Sequence, residues 1–316
     1  MNLEEEIRDG YTISREMKQL WAVELDLTKK LLEVCHKHNL RIWADSGTLL
    51  GAIRHGGFIP WDDDMDFIML REDYDKLVKL AYEFPAPYFL QSGYTEKGYD
   101  RMHIQLRRSD TSCILPPDKW QRFNQGVFID ILPLDYVSGR LDDHFVALKR
   151  AEILRSKMKI RTYATVLSRF IKCNIVALRE WLYFKTHGFL NTYREVEEIY
   201  RTLNTSGKPP KDDGGLLYQF GTSPWGNRRG YHISVYSETL LMPFEDIQLP
   251  VPVGWDERLR MEYGENYMTP IQAPTVHGHI VFDVNRPYKE FVNELRKKAD
   301  WKERFKAAFM LPHVRN

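Results

Sequence analysis

The sequence predicts a protein of mixed α and β structure, and three observations support this class. Long stretches have the three- and four-residue hydrophobic spacing of amphipathic helices. Short runs rich in β-forming residues lie between them. The segment 43–70 places four aspartates within five residues, between two apolar runs. With 316 residues, 43% of them hydrophobic, the chain is long enough to bury a sizeable core.

The composition excludes several classes of protein. The 45 basic and 44 acidic residues nearly balance, so the net charge identifies no partner, and no recognition motif for nucleic acid accompanies the local basic segments. The three cysteines are widely separated, which is typical of buried thiols in a reducing compartment. The N-terminal residues lack the apolar region of a signal peptide, and no run reaches the length of a membrane span. We therefore expect a cytoplasmic protein.

The first elements are predicted to be a helix and a short strand. The hydrophobic spacing predicts an amphipathic helix from Ser14 to Asn39, with Ser14 as its N-cap and Asn39 as its C-terminal stop. Its polar face is expected to carry Glu24 together with three lysines. Leu40 to Ala44 follows as a short strand. This helix is expected to cover a sheet.

A second helix is predicted over residues 48–55, and both of its ends are suited to bind an anion. Gly47 and Thr48 leave backbone N–H groups beside small residues, which accommodates a phosphate oxygen, although a simple tight turn has the same sequence. At the other end, Arg54 and His55 precede two glycines. An arginine can hold an anion through two hydrogen bonds, and glycine permits close approach.

Three aspartates are the candidate ligands of a metal ion. Residues 64–70 alternate like a strand, so Asp64 and Asp66 are expected to point to the same side and could share one hard cation such as Mg²⁺. An exposed acidic turn would explain the two preceding aspartates but not Asp66, which lies within an apolar run. Asp130 interrupts a second apolar strand, at 126–135, where its desolvation requires a cation or hydrogen-bond donors. Asp130 is therefore the expected third ligand.

The other elements are predicted by the same rules of spacing and punctuation. Asp135, which follows Pro133, is expected in a turn or a helix cap. Helices are predicted for Arg71 to Phe84, Glu195 to Leu203, Trp255 to Tyr263 and the segment after Tyr288. Strands are predicted for Tyr88 to Gln91, His103 to Arg108, Thr111 to Leu115, Tyr231 to Ser234 and Leu249 to Val253.

The segment 144–185 has a different character from the rest of the chain. It carries ten Lys or Arg and only two Glu, with apolar residues recurring among them. This pattern predicts a helical, basic insertion. Its basic face is either simply solvated or a surface for an anionic glycan or anionic lipid headgroups, which makes the segment a candidate for peripheral membrane contact at the inner face of the membrane.

Three motifs occur in order: SGTLLGAIRHGGFIPWDDDMD, GVFIDILPLD and FEDIQLPVPVGWDERLRMEYGENYM. Together they resemble the LicD family of phosphocholine transferases and their fukutin-related relatives. The resemblance implies a nucleotidyltransferase-like α/β (α+β) fold, a mixed sheet flanked by helices. On this basis residues 1–140 form the catalytic core, 141–215 the basic helical insertion and a linker, and 216–316 complete the catalytic domain.

The resemblance also implies an activity. Such enzymes transfer a phospho-alcohol from a CDP-activated donor to a hydroxyl of a cell-surface or lipid-linked glycan, such as lipopolysaccharide or teichoic acid, and release CMP. Asp64 and Asp66 match the family's metal-binding pair, and Asp130 its third acid, so Mg²⁺ or Mn²⁺ is expected. Asp130 is also expected to accept the proton of the acceptor hydroxyl. Gly47 and Thr48 match the turn beside the donor phosphates.

Further substrate contacts are expected from Arg54, His55, Trp61 and Arg229. Phosphocholine would need aromatic side chains around its cationic head, whereas ribitol or an amine-bearing group fits the same motifs. The aromatic candidates are Trp61, Tyr231, Trp255, Tyr263 and Tyr267. Two alternative functions are a nucleotidylyltransferase that uses an NTP and releases pyrophosphate, and a non-catalytic glycan-binding protein, which would not need all three acids.

Overall fold

The computed structural model describes residues 1–163, 182–183, 186–204, 215–222, 230–272 and 280–301. Its helices are α1 Arg15–Lys37, α2 Ser46–Arg54, α3 Arg71–Lys79, α4 Phe145–Tyr163, α5 Phe189–Leu203, α6 Trp255–Tyr263 and α7 Tyr288–Lys298. Its strands are β1 Glu6–Arg8, β2 Tyr11–Ile13, β3 Trp43–Ala44, β4 Asp66–Leu70, β5 Tyr88–Gln91, β6 Ile104–Arg108, β7 Ser112–Ile114, β8 Val127–Val137, β9 Leu216–Tyr218, β10 Thr239–Phe244, β11 Ile247–Pro252 and β12 Val281–Asp283.

A six-stranded mixed sheet organises these elements and confirms the predicted fold class. Five strands lie in the order β3-β4-β8-β6-β5, and β9 pairs with the far end of β8. The central pair, β4 and β8, is parallel, and the other pairs are antiparallel. β4 begins at Asp66, two residues later than predicted, and Asp66 is directly opposite Asp130 in the register.

The two faces of the sheet are buried against different elements. Because strand side chains alternate, Phe67 and Ile131 enter the large core beneath α1, whereas Ile68 and Leu132 join a smaller cluster on the opposite face. Asp66 and Asp130 have the same alternation as this second pair. The two aspartates therefore lie on the face opposite α1.

Helix α1 begins and ends as predicted, but one of its acids faces inward. The Ser14 hydroxyl accepts the backbone N–H of Met17 at 3.2 Å, and Asn39 ends the helix with a positive φ of 52°. Glu24 was expected on the solvated face and is only 1% exposed. The hydrophobic spacing predicts the buried stripe of α1 but cannot distinguish this acid, because Glu24 borders the stripe and faces the aspartate-rich loop.

Strand β8 extends beyond its predicted end, which corrects the expectation for Asp135. Asp135 is fully buried within the strand and not in a turn. Arg71, the first residue of α3, donates two hydrogen bonds to its carboxylate, each of 2.7 Å. This bidentate pair compensates the buried charge, so the strand continues through Pro133.

The C-terminal elements agree in part with prediction. Leu249 is in the hairpin strand β11 as expected, but the segment predicted as a strand from Tyr231 is mostly a short 3₁₀ turn at Ile233–Tyr236. Tyr231 itself makes one isolated bridge to Leu217. Helix α6 ends at Gly264, whose φ is 84°, as the sequence indicates.

Helices α4 and α5 pack on each other around a separate apolar cluster, which Val137 of β8 and Phe220 also enter. The predicted helical insertion therefore contains two described helices, while residues 164–181 and the linker at 205–214 lie outside the described ranges. Among the helices that are described, none has the length and apolar character required to span a membrane. The proposed division into three parts stays a prediction.

Candidate active site

The turn between β3 and α2 is held against the start of β4. The backbone N–H of Asp45 donates to the carbonyl of Asp66 at 3.0 Å, and the backbone N–H of Asp66 donates to the Thr48 hydroxyl at 2.8 Å. Ser46 has a positive φ of 46°, which is uncommon for a residue other than glycine and marks a sharply constrained turn. The first turn of α2 is thereby fixed beside the aspartate-bearing strand.

Asp45 occupies the N-cap position of α2 but does not cap the helix with its side chain. Its carboxylate is held by Arg258 of α6, whose Nη2 lies 2.8 Å and 2.9 Å from the two oxygens. The exposed fraction is 1% for Asp45 and 2% for Arg258. Because this acid is paired with arginine, it does not cap the N–H groups at the start of α2.

Asp66 and Asp130 are brought together by the parallel pairing of β4 and β8. They are direct partners in the register, so their side chains leave the same face on neighbouring strands about 4.8 Å apart. Asp130 also receives two contacts, one from β6 and one from the residue that precedes this strand. Gln105 Nε2 donates to Asp130 Oδ1 at 2.6 Å, and His103 Nε2 lies 3.4 Å from the same oxygen.

The acids of the site differ sharply in proton affinity. Burial raises the pKa values of Asp64 and Asp66 well above the ordinary range, and the neighbouring carboxylates raise them further. Burial also acts to raise the pKa of Asp130, but its contacts with His103 and Gln105 outweigh this effect and lower the pKa to about 2. A charged Asp130 thus faces two carboxylates that favour neutrality, and a cation bound among them would relieve the repulsion.

The acidic loop before β4 offers a further group of potential ligands. Asp62, Asp63 and Asp64 each present an oxygen within 4.8 Å of the others. Because these oxygens converge, all three acids of the loop are potential ligands. Trp21 of α1 holds this loop by donating its indole N–H to the Asp62 carbonyl at 3.0 Å.

Glu24 adds a fourth acid beneath this loop. Burial raises its pKa well above the ordinary value, and the charges of Asp63 and Asp62 add to the effect. Its Oε2 atom is buried without a hydrogen-bond partner in the part of the chain that the structure describes. Closely packed carboxylate oxygens are the ligands that Mg²⁺ and Mn²⁺ prefer, so these residues fit a divalent cation.

Two predicted substrate contacts, Arg54 and His55, lie at the C-terminal end of α2, away from Thr48. Arg54 donates to the Tyr267 carbonyl at 2.8 Å and to Nε2 of His55 at 2.8 Å. The other ring nitrogen of His55 lies 2.8 Å from an Asp9 oxygen, and the His55 side chain is 3% exposed. Both nitrogens of His55 are thus engaged within the protein, an arrangement that does not support contact with the donor.

The remaining predicted contacts are less directly placed. Trp61 packs edge-on against Tyr11, with ring centroids 5.9 Å apart, at the rim of the main core. Arg229 lies outside the described residues. Of the aromatic candidates for a choline site, Tyr231 is buried and already carries the guanidinium of Arg258, 4.5 Å above its ring.

Sequence reasoning missed three polar residues next to the aspartates: His103, Gln105 and Arg258. The signal for the first two was the alternation of polar and apolar residues over 103–107, which places both on the face of Asp130. The Nδ1 atom of His103 is buried and lacks a hydrogen-bond partner among the described residues. For Arg258 the sequence gives no local signal, because its partner Asp45 is 213 residues away.

Comparison with known proteins identifies the family. The LicD/FKTN/FKRP nucleotidyltransferase domain matches residues 39–154, which contain β3 to β8 and all three predicted metal ligands. The lipopolysaccharide cholinephosphotransferase LicD of Haemophilus influenzae is 44% identical over 272 residues, which are 84% of this chain and 96% of that protein. The chain belongs to the LicD family.

Shorter matches to other proteins have a similar degree of identity. An uncharacterised protein of Rickettsia prowazekii is 43% identical over 77 residues, or 24% of this chain and 27% of that protein. The ribitol 5-phosphate transferase FKRP of Homo sapiens is 40% identical over 48 residues, or 15% of this chain and 10% of that protein. The predicted resemblance to the LicD family is thus confirmed, and the two named enzymes transfer different phospho-alcohols.

Proposed function

We propose that this LicD-family protein is a metal-dependent transferase that moves a phospho-alcohol from a CDP-activated donor to a hydroxyl of a glycan. The observation that carries the proposal is the direct pairing of Asp66 and Asp130 on parallel strands. Asp64 lies two residues before Asp66, and burial and the charge of Asp130 both raise the pKa of Asp64. A bound cation would offset the repulsion among three carboxylates held this closely. Asp64, Asp66 and Asp130 would bind Mg²⁺ or Mn²⁺.

Residues of the protein would bind the donor phosphates and the cation during the transfer. The bound cation would neutralise charge on the donor pyrophosphate, and the N–H groups at Gly47 and Thr48 would hold a phosphate oxygen. The acceptor oxygen would form a bond to the phosphorus of the phospho-alcohol as the bond to the CMP oxygen breaks, and the hydroxyl proton would pass to water. Asp130, with a pKa of about 2, stays charged at neutral pH, which suits a cation ligand better than a proton acceptor.

Phosphocholine is the phospho-alcohol we favour, and lipopolysaccharide the acceptor. The support is the LicD enzyme of Haemophilus influenzae, which this chain matches over 96% of that protein's length. The match to FKRP spans only 48 residues and therefore supports the chemistry more than the alcohol. The second candidate function, nucleotidyl transfer from an NTP, would use the same aspartates but release pyrophosphate.

We further propose a cytoplasmic protein that contacts the inner face of the membrane through residues 144–185. Helix α4 exposes Phe145 and Val146 beside basic residues, a combination that suits anionic headgroups. Lys149 and Arg150 also pair with Glu152 and Glu195, which reduces the free charge of this surface. Co-sedimentation with anionic and neutral vesicles tests the proposal, and equal binding to both would contradict it.

A donor panel tests the proposed reaction. The protein is incubated with CDP-choline, CDP-ribitol, CDP-ethanolamine or CTP, together with lipopolysaccharide and Mg²⁺, and CMP and pyrophosphate are measured separately. We expect CMP with CDP-choline and none after chelation with EDTA. Pyrophosphate from CTP would favour the nucleotidyl transfer. Release of neither CMP nor pyrophosphate with any donor, while CDP-choline still binds, would favour a glycan-binding protein.

A further inference from the structure

A chain of buried hydrogen bonds runs across the sheet and ends on Asp130. It begins at Arg107 of β6, which is 1% exposed and whose three guanidinium nitrogens all donate to neutral oxygens. Arg107 Nη2 donates to Gln105 Oε1 at 2.5 Å, and Gln105 Nε2 donates to Asp130 Oδ1 at 2.6 Å. A buried cation is thereby connected to the candidate metal ligand through one amide side chain.

The chemistry of the two neighbours fixes the orientation of the Gln105 amide. A guanidinium has only donors, so the Gln105 oxygen must face Arg107. An ionised carboxylate has only acceptors, so the Gln105 NH₂ group must face Asp130. The opposite orientation would place donor against donor and acceptor against acceptor. No other orientation of the amide satisfies both partners, and the assignment does not depend on distinguishing nitrogen from oxygen.

The guanidinium that holds this amide is itself immobilised on every side. Arg107 Nη1 donates to the Gly126 carbonyl at 2.6 Å, and Nε donates to Gln91 Oε1. Its central carbon lies 4.7 Å from the ring centroid of Phe128. These contacts hold the Arg107 guanidinium in one position, so they also fix the Gln105 amide that it orients.

The two side chains that contact Asp130 reach the same oxygen. Gln105 and His103 approach Oδ1, and no hydrogen bond to Oδ2 occurs among the residues described. A carboxylate held through one oxygen cannot rotate freely, and its second oxygen keeps a set direction. Oδ2 is the atom left to meet a cation shared with Asp66 across the strand pair.

We propose that Gln105 is a positioning residue for the metal site. Arg107 orients the Gln105 amide, and this amide holds Asp130 so that its Oδ2 atom faces the cation. The inference rests on the proposed role of Asp130 as a metal ligand. A purely structural role for Gln105 would be only to satisfy the buried guanidinium. That role predicts lost stability but an unchanged affinity for the cation, so the two can be separated.

The experiment measures Mn²⁺ binding by the full chain, without donor, by titration with detection of free Mn²⁺ by electron paramagnetic resonance. Gln105→Met keeps the length and burial of the side chain but removes both polar atoms. We expect its dissociation constant for Mn²⁺ to rise by about tenfold or more, the range found for residues that orient metal ligands. Gln105→Asn, whose amide is too short to bridge both partners, should lie between the wild type and this variant.

Gln91→Met is the matched control, because it removes a buried hydrogen bond from the same arginine but neither of the two bonds that Gln105 makes to Arg107 and Asp130. We expect it to lower the melting temperature while the Mn²⁺ affinity stays within about twofold of the wild type. Equal Mn²⁺ affinity in Gln105→Met and the wild type would overturn the positioning role. So would equal weakening in both methionine variants.

The outcomes also separate this inference from the proposed function. If the wild type binds no Mn²⁺, the metal assignment of Asp130 fails, and the inference fails with it. If the wild type binds Mn²⁺ and releases CMP but the Gln105 variants bind equally well, only the positioning role is overturned. Should Gln105→Met not fold, the Asn variant and the control still decide between these results.

Discussion

Replacing Asp66 by asparagine should stabilise the metal-free protein at neutral pH while removing its response to Mg²⁺. The two residues have nearly the same shape, and the hydrogen bond from the backbone N–H of residue 66 to Thr48 does not depend on the side chain. The change therefore removes one charge from the site and leaves the strand in place. When no cation is bound, carboxylates that repel each other in an active site destabilise the folded protein.

The magnitude follows from the pairing of β4 and β8. Two charges on directly opposite residues, about 5 Å apart, repel by about 3 kcal/mol at an effective dielectric constant of about 20. Partial exposure of Asp66 weakens this repulsion, and the new amide lacks a designed partner, so we expect a net gain of about 1 kcal/mol. For a chain of this size, that gain raises the melting temperature by about 2–4 °C.

The pH dependence has a definite sign. Folding raises the pKa of Asp66 above its ordinary value, because burial and the neighbouring carboxylates disfavour its charge. The folded state therefore holds this proton more tightly, and wild-type stability is lost as the pH rises above about 4. The asparagine variant has no such loss. Its advantage should be absent at pH 4.5 and present at pH 8.

The assay is thermal unfolding of both proteins in EDTA and in 10 mM Mg²⁺, at pH 4.5 and pH 8. Mg²⁺ should raise the melting temperature of the wild type and leave the variant nearly unchanged. Asp110→Asn is the control, because this exposed acid pairs with Arg108 far from the site, and it should respond to Mg²⁺ like the wild type. A variant less stable than the wild type in EDTA at pH 8, or equally stabilised by Mg²⁺, would refute the reasoning.

Three further substitutions probe how the site is held. Thr48→Val removes the hydroxyl that accepts the first N–H of β4, and should lower the free energy of unfolding by about 1–2 kcal/mol in urea titrations and reduce turnover. Arg258→Met leaves the buried carboxylate of Asp45 without its partner and should lower the free energy of unfolding by about 3–5 kcal/mol. A loss below about 1 kcal/mol would show that this ion pair does not stabilise the fold. Gly47→Ala would place a Cβ atom 2.5 Å from Asp62 Oδ2 and so displace this carboxylate. The Mg²⁺ concentration that half-activates the enzyme should therefore rise. An unchanged concentration would show that the Asp62 carboxylate has no part in the site.

The sequence predicted much of this site because its signals are local. Asp66 and Asp130 each interrupt an apolar strand, and an acid in that position requires compensation wherever the strand lies. Hydrophobic spacing also predicted α1 and its ends at Ser14 and Asn39. These features depend on a few neighbouring residues, so they can be found without knowledge of the tertiary fold.

Features set by distant partners could not be predicted in this way. Asp135 has the composition of a turn after proline, and only its pairing with Arg71 places it in a buried strand. Glu24 borders the buried stripe of a helix, and its burial depends on a loop about forty residues later. His55 precedes two glycines, as an anion-binding residue could, yet Asp9 and Arg54 occupy both of its nitrogens.

The position of the bound cation tests the central claim most directly. Crystals grown with Mn²⁺ and CDP would be measured near the manganese absorption edge, and the anomalous peak would locate the ion. We predict a peak within about 2.0–2.3 Å of an oxygen of Asp66 and an oxygen of Asp130. A peak bound only by Asp62, Asp63 and Asp64, with Asp130 uninvolved, would contradict the account.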